Sequence, residues 1–285
     1  MTGRTVVVTG ANSGLGAICA RELARAGARV VLAVRDTKRG AQAAATMPGD
    51  TEVRALDLAD LSSVRAFAAA WDGPLDVLVN NAGVMALPER RTADGFEMQL
   101  GTNHLGPFAL TNLLLPHITD RVVAVSSAAH RMGKIDFDDL NAERGYGRWS
   151  AYGQSKLANL LFTLELQRRL EAAGSDVSAH AAHPGYSATK LQGHSTHRGD
   201  KVILAVGNRL LAQSDAMGAL PILYAATQQL PGASYTGPGG FQEIRGYPAA
   251  AGRSVAAADE VTAKRLWEIS EDLTGVTFAL QPASV

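Results

Sequence analysis

The chain has 285 residues, 46% of them apolar and 19% charged, which suits a buried core and excludes a disordered chain. Its 27 basic and 27 acidic residues cancel, so no global field draws it to nucleic acid or to an anionic membrane. The single cysteine, Cys19, excludes an internal disulfide and a cysteine-based metal cage.

The start, Met1-Thr2-Gly3-Arg4, lacks the apolar stretch of a signal peptide. No uncharged apolar run approaches the roughly 18 residues that span a bilayer, residues 202–206 being the best and far too short. With the lone thiol, these features predict a cytoplasmic protein without a membrane span.

In chain order, the strand Thr5–Thr9 leads to a helix over 15–26, and a strand over 30–34 to a helix over 38–46. A strand over 53–56 leads to a helix over 62–71, and Leu75–Asn80 to a long helix near 96–115. A strand over 122–126, a helix over 152–173 and a strand over 177–183 close the series. Apolar strands alternating with helices imply parallel strands covered on both faces, and right-handed crossovers make them a doubly wound, Rossmann-type α/β sheet. No linker or repeat interrupts the pattern, so residues 1–285 are predicted to form one dinucleotide-binding domain. The irregular stretches near 131–150 and 186–213 are predicted to shape the substrate pocket.

The first strand ends in Thr9-Gly10-Ala11-Asn12-Ser13-Gly14-Leu15-Gly16. Glycines let the backbone turn tightly against a pyrophosphate, which then sits at the positive end of the next helix. A glycine loop alone is a weak signal; here it follows a strand and opens a helix, the context such a site needs. Gly10, Asn12, Ser13, Gly14, Leu15 and Gly16 are the candidate phosphate-binding residues. The second strand ends Val34-Arg35-Asp36. NAD sites place a carboxylate at this strand end for the ribose, whereas an arginine accommodates the 2′-phosphate of NADP. Val34 holds the carboxylate position and Arg35 follows, with Arg39 as a second cation, so NADP (NADPH) is expected over NAD. Asp36 is the complication, since a shift of one residue brings it to the ribose. Asp57 and Leu58 end the third strand, where adenine would lie; Asn80, Ala82 and Gly83 end the fourth, where small residues admit a cofactor or simply form a turn.

Tyr152 and Lys156 are four apart on one helix face. A neighbouring ammonium favours phenolate and makes the phenol a useful acid/base, although the same spacing is common on ordinary helix surfaces. Together, the Gly10/Gly14/Gly16 loop, Asn80-Asn81-Ala82-Gly83, Asn103, Ser126-Ser127, Tyr152/Lys156 and His183-Pro184-Gly185 resemble the short-chain dehydrogenase/reductase family over roughly residues 4–190. Residues 125–130 and 152–164 are similar to its retinol dehydrogenase-like and protochlorophyllide reductase-like branch, in which the serine and tyrosine are widely separated, as here.

The resemblance implies an NAD(P)-dependent oxidoreductase that moves a hydride between nicotinamide and a carbonyl or alcohol of a hydrophobic small molecule such as a retinoid, steroid or lipid aldehyde. It implies that Ser127 bonds the substrate oxygen, Tyr152 is the acid/base, and Lys156 binds the nicotinamide ribose and depresses the tyrosine pKa. Asn103 would hold a water in a proton relay, while Pro184, Gly185 and Thr189 would line the nicotinamide end. The alternatives are a C=C reductase of the protochlorophyllide reductase type and a non-catalytic NADP-sensing module. Many relatives pair through their two long helices, which leaves a homodimer or homotetramer open, and membrane-bound relatives carry an N-terminal anchor not seen here.

Other residues carry less. His183 reads as a packed residue, and His130, His194 and His197 lack the partners for zinc. Cys19 reads as a small core residue. Ser127 has no Gly-x-Ser-x-Gly elbow, against a hydrolase. Phe137, Tyr146 and Trp149, with Tyr186, Leu191 and Met217, suit either an apolar pocket or packing of the insertion.

Overall fold

The β-branched run Val6-Val7-Val8 forms the middle of β1 (Thr5–Thr9), fully buried at the centre of an eight-stranded sheet. The computed structural model describes residues 1–186 and 214–280. The other strands are β2 (Arg29–Val34), β3 (Thr51–Ala55), β4 (Leu75–Asn80), β5 (Ile118–Val125), β6 (Ser178–Ala182), β7 (Tyr235–Pro238) and β8 (Pro248–Ala250). Their spatial order is β3-β2-β1-β4-β5-β6-β7-β8. Every pairing is parallel except β7 with β8, an antiparallel edge. Chain order reverses between β1 and β4, and a crevice opens there beyond the strands' carboxyl ends.

Helices cover both faces. On one lie α1 (Gly14–Arg25) and α7 (Asp215–Thr227), packing Leu15, Cys19, Leu23 and Ile222 against the sheet. On the other, α3 (Leu61–Ala69), α5 (Gly106–Leu114), α6 (Arg148–Ala172) and α8 (Glu260–Thr274) enclose Phe108, Phe162 and Trp267, with the Phe162 and Trp267 rings stacked at 5.7 Å. Local chemistry sets the helix starts: Asp36 caps α2 (Thr37–Ala44), Asp60 caps α3 and Asp259 caps α8, each accepting from first-turn amides. Among the described residues no helix is long and apolar enough to cross a membrane, and no cluster suits a metal ion.

The long helix expected near 96–115 is present, with a wider turn at its centre. It runs as α4 (Met98–Leu100), a π-helical turn over Gly101–Leu105, and then α5. Glu97 caps the start, accepting from the amides of Gln99 and Leu100, which keeps Phe96 outside. Single wide turns of this kind recur at functional sites. The helix expected from Tyr152 begins earlier, at Arg148, so part of the irregular stretch before it is helical.

Candidate active site

The exits of β1 and β4 are tied across the crevice. Thr9 Oγ1 accepts from the amides of Asn81 (3.0 Å) and Ala82 (2.9 Å), and Asn81 Nδ2 donates to Thr9 O at 2.8 Å. Glycine is required at two points. Gly10 turns with φ +67°, and a Cβ on Gly16 would lie 2.4 Å from Asn81 Nδ2 and 2.6 Å from Gly10 O. Ser13 precedes α1 in extended backbone, its side chain making no bond to the first turn, and that turn holds no acidic residue. The positive helix end therefore faces the crevice with no side-chain cap, a setting for an anion.

A cavity of about 800 Å³ runs from this turn to α6. At its glycine end it is lined by Gly10, Asn12, Ser13, Gly14, Leu15 and Gly16, and beside them by Arg35, Asp57, Leu58, Ala82 and Gly83. Ser127, Tyr152 and Lys156 line the other end with Pro184 and Gly185. Sequence positions more than 170 residues apart thus meet in one space. Thr189, with the stretch 187–213, Leu191, His194 and His197, lies outside the described residues.

Two expected residues do not line the cavity. Asn80 Nδ2 donates to Thr111 Oγ1 at 2.9 Å in the core, and Asn81 lines the cavity beside Ala82. Strand alternation turns one of two adjacent asparagines inward and the other to the crevice. Asn103 is buried behind the wall. Its Oδ1 accepts from Val84 N (2.7 Å), while Nδ2 donates to Val84 O and Ser155 Oγ (both 2.9 Å), joining the chain after Gly83 to α6. A Cβ on Gly83 would lie 3.0 Å from Asn103 Oδ1 and 3.4 Å from Lys156 Nζ, so three of the motifs pack directly together.

Ser127 leaves β5 in extended backbone and caps a 3-10 turn, Ala128–Met132, its Oγ accepting from Ala129 N at 3.2 Å. Tyr152 and Lys156 face the cavity one helical turn apart, with Nζ 5.8 Å from the phenol ring centre. Lys156 Nζ donates to Val125 O at 3.0 Å. Burial pushes the Tyr152 phenol up to about 12, and a hydrogen bond with Ser127 draws it only part of the way back. Burial also pulls Lys156 down to about 8. Desolvation is the largest influence on both groups. At neutral pH the phenol keeps its proton, a form that can donate one.

Of the aromatics in doubt, Trp149 and Tyr186 line the cavity, and Trp149 meets Tyr152 edge-on at 6.2 Å. Tyr146 instead donates to Leu87 O (2.8 Å), and Phe137 packs under the Arg265 guanidinium at 4.1 Å. Met217 does not line the cavity. Sequence reasoning missed Asn81, Met132 and the turn of Gln242, Glu243 and Ile244, which close the site from the far end of the chain.

The short chain dehydrogenase family matches residues 4–199. Human retinol dehydrogenase 12 is 42% identical over 297 residues, covering 98% of this chain and 88% of the relative. Human retinol dehydrogenase 13 is 43% identical, covering 96% and 85%. Among solved structures, an uncharacterized Mycobacterium Paratuberculosis protein is 56% identical with a TM-score of 0.86, covering 98% of this chain and 96% of that one. A Beutenbergia cavernae protein holding NADP at low occupancy is 28% identical with a TM-score of 0.59, covering 80% and 90%.

Proposed function

The chain belongs to the short-chain dehydrogenase family, in its retinol dehydrogenase-like branch, and from that premise we propose that it is an NADP-dependent oxidoreductase reducing a carbonyl of a hydrophobic small molecule, or oxidising the matching alcohol. One observation carries the reading. Ser127, Tyr152 and Lys156 converge at one end of a cavity whose other end is an uncapped helix start behind a glycine turn.

The residues present fit a dinucleotide. A Cβ on Gly14 would meet nothing within 4 Å, which leaves room beside the helix start for a pyrophosphate. Arg35 lines the cavity, whereas the Asp36 carboxylate accepts from Arg39 N (3.0 Å) and lies 3.5 Å from Arg39 Nε. A carboxylate committed to capping leaves the guanidinium of Arg35 for a 2′-phosphate, which supports NADP over NAD. Asp57 and Leu58 would meet the adenine, and Gly83, Lys156, Pro184 and Gly185 the nicotinamide end. When bound, the cofactor supplies or accepts the hydride.

The chain's own residues do the rest. The Ser127 hydroxyl donates to the substrate oxygen, stabilising the charge that grows there. Tyr152 gives that oxygen its proton. The phenol stands far above neutral pH, so reduction starts from the protonation state already present and oxidation first has to remove a buried proton. Lys156 is 5% exposed and holds the β5 exit through Val125 O, its ammonium 5.8 Å from the phenol ring centre. Met85, Met132, Trp149 and Ile244 line the cavity with apolar surface, which supports a hydrophobic substrate. The lone Cys19, buried and held up to about 12 as a thiol, suits a reducing compartment such as the cytoplasm. The test is NADPH oxidation, followed by absorbance, against hydrophobic aldehydes, ketones, quinones and conjugated alkenes. Turnover of carbonyls is expected; cofactor binding without any turnover would refute the enzyme, and turnover confined to the alkenes would refute the carbonyl reading.

A further inference from the structure

We infer that Glu243 is a positioning residue for the catalytic end of the cavity, a carboxylate latch that holds the serine turn and the wall at residues 184–186 in fixed relation. The inference rests on the proposed reaction and adds to it a residue from the last third of the chain. Glu243 lies in the segment between β7 and β8, which returns over the cavity.

Its carboxylate reaches three separate segments. Oε1 accepts from Gly252 N at 2.6 Å, Oε2 lies 3.5 Å from an Arg131 guanidinium nitrogen, and Oε2 also lies 3.2 Å from His183 Nε2. Arg131 belongs to the 3-10 turn that Ser127 caps. His183 leaves β6 directly ahead of Pro184. Gly185 N donates to His183 Nδ1 at 3.2 Å, so the neutral ring carries its proton on Nε2, facing the carboxylate but off the line of a well-aligned hydrogen bond. Burial holds this histidine down to about 4, which keeps the ring neutral at working pH.

Further ties run the same way. Tyr186 N donates to Ile244 O at 2.9 Å. Ser254 N donates to His130 Nε2 at 3.2 Å, and His130 Nδ1 lies 2.7 Å from Ser127 O. The chain from Glu243 to Ser254 therefore bonds both sides of the catalytic end.

The backbone of the latch is strained. Gln242 and Glu243 are consecutive non-glycine residues in left-handed conformation, with φ 49° and 58°. Such residues persist where their surroundings over-determine them, and they cluster at functional sites. The contacts of Glu243 supply that constraint. Arg131 is half exposed, so its ion pair is the weakest of the three, and the Gly252 amide and the buried His183 ring do most of the holding.

The test compares the full-length wild type, Glu243→Ala and Glu243→Gln, using NADPH, the best carbonyl of the substrate panel and amide hydrogen exchange. Misplacing catalytic groups by about 1 Å costs up to about a hundredfold, so Glu243→Ala is expected to lose at least about tenfold in kcat. Its Kd for NADPH should stay within about threefold of wild type, and exchange at 128–133 and at Tyr186 should quicken. Glu243→Gln keeps an acceptor for Gly252 N and is expected to recover most of the kcat. Unchanged kcat and exchange in Glu243→Ala would overturn the inference. So would a loss that tracks global unfolding and is not rescued by Gln. If Glu243→Ala does not fold, Glu243→Asp, which withdraws the carboxylate by one methylene, takes its place: a loss of kcat with quickened exchange at 128–133 and at Tyr186 is expected, and unchanged kcat and exchange would refute the latch. If the wild type reduces no carbonyl, the proposed function fails, and the exchange rates judge the latch alone.

Discussion

Gly16→Ala sets two opposed effects against each other at the glycine turn. Gly16 lies in the first turn of α1, where propensity alone favours alanine by about 1 kcal/mol. Against this, the new Cβ would sit 2.4 Å from Asn81 Nδ2 and 2.6 Å from Gly10 O. The Gly10 carbonyl is backbone and cannot swing away, and Asn81 can retreat only by giving up its 2.8 Å bond to Thr9 O. Overpacking costs about 1–3 kcal/mol and the lost hydrogen bond about 1 kcal/mol. The clash prevails by about 1–3 kcal/mol net. Unfolding entropy of about 2.1 cal/mol/K per residue gives about 0.6 kcal/mol/K for this chain, so Tm falls by about 2–5 °C. Thermal unfolding by circular dichroism reads this directly, and NADPH titration should show weaker binding, because Asn81 lines the cavity. A Tm that rises would mean helix propensity governs the site and the close approach is not real.

Three further outcomes are expected. Tyr152→Phe removes the proton donor but leaves a ring of the same shape, so turnover should drop at least about a hundredfold while NADPH affinity stays near normal; near-normal turnover removes Tyr152 from the mechanism. Arg35→Ala should weaken NADPH at least about tenfold, about 1.4 kcal/mol, and leave NADH unaffected, as read by fluorescence titration; equal losses for both cofactors would refute a 2′-phosphate contact. His104, His180 and His183 are each held down to about 4 by burial, below the ordinary 6.5. The folded rings stay neutral where the unfolded ones take protons, so stability falls with decreasing pH from about 6.5 towards 4. Denaturant unfolding between pH 7.5 and 5.5 should show at least about one proton taken up, about 1.4 kcal/mol per pH unit at the acid end, and a flat profile would contradict the buried neutral rings.

What could be read in advance was local. Val6-Val7-Val8 followed by glycines is a strand and a turn whatever surrounds it, and both fall where expected. Tyr152 and Lys156 share a face by helix geometry alone. The wide turn in the helix near 96–115 has no such local mark, because the residue at its centre, Asn103, serves the backbone of Val84 and the hydroxyl of Ser155. Which of two adjacent asparagines faced the cavity depended on how β4 packs against α5 through Thr111. The strand β7 is Tyr-Thr-Gly-Pro, a run that reads as a turn, and it is a strand because β6 offers it a ladder. Glu243 left no trace, since its partners Arg131 and His183 are brought to it only by the completed sheet. The phenol's elevated pKa was likewise out of reach, because desolvation is a property of the folded interior.

The two outer strands have a consequence for how copies of this chain meet. At one margin β8 is three residues long and begins with Pro248, which offers no amide for a neighbour to bond. At the other, β3 carries Glu52, which pairs with both Arg54 and Arg29. Short, proline-bearing and charged margins are what keep soluble proteins from zipping into aggregates. Among the described residues, neither margin of the folded sheet invites a strand from a second molecule, so edge-to-edge pairing of two sheets is disfavoured.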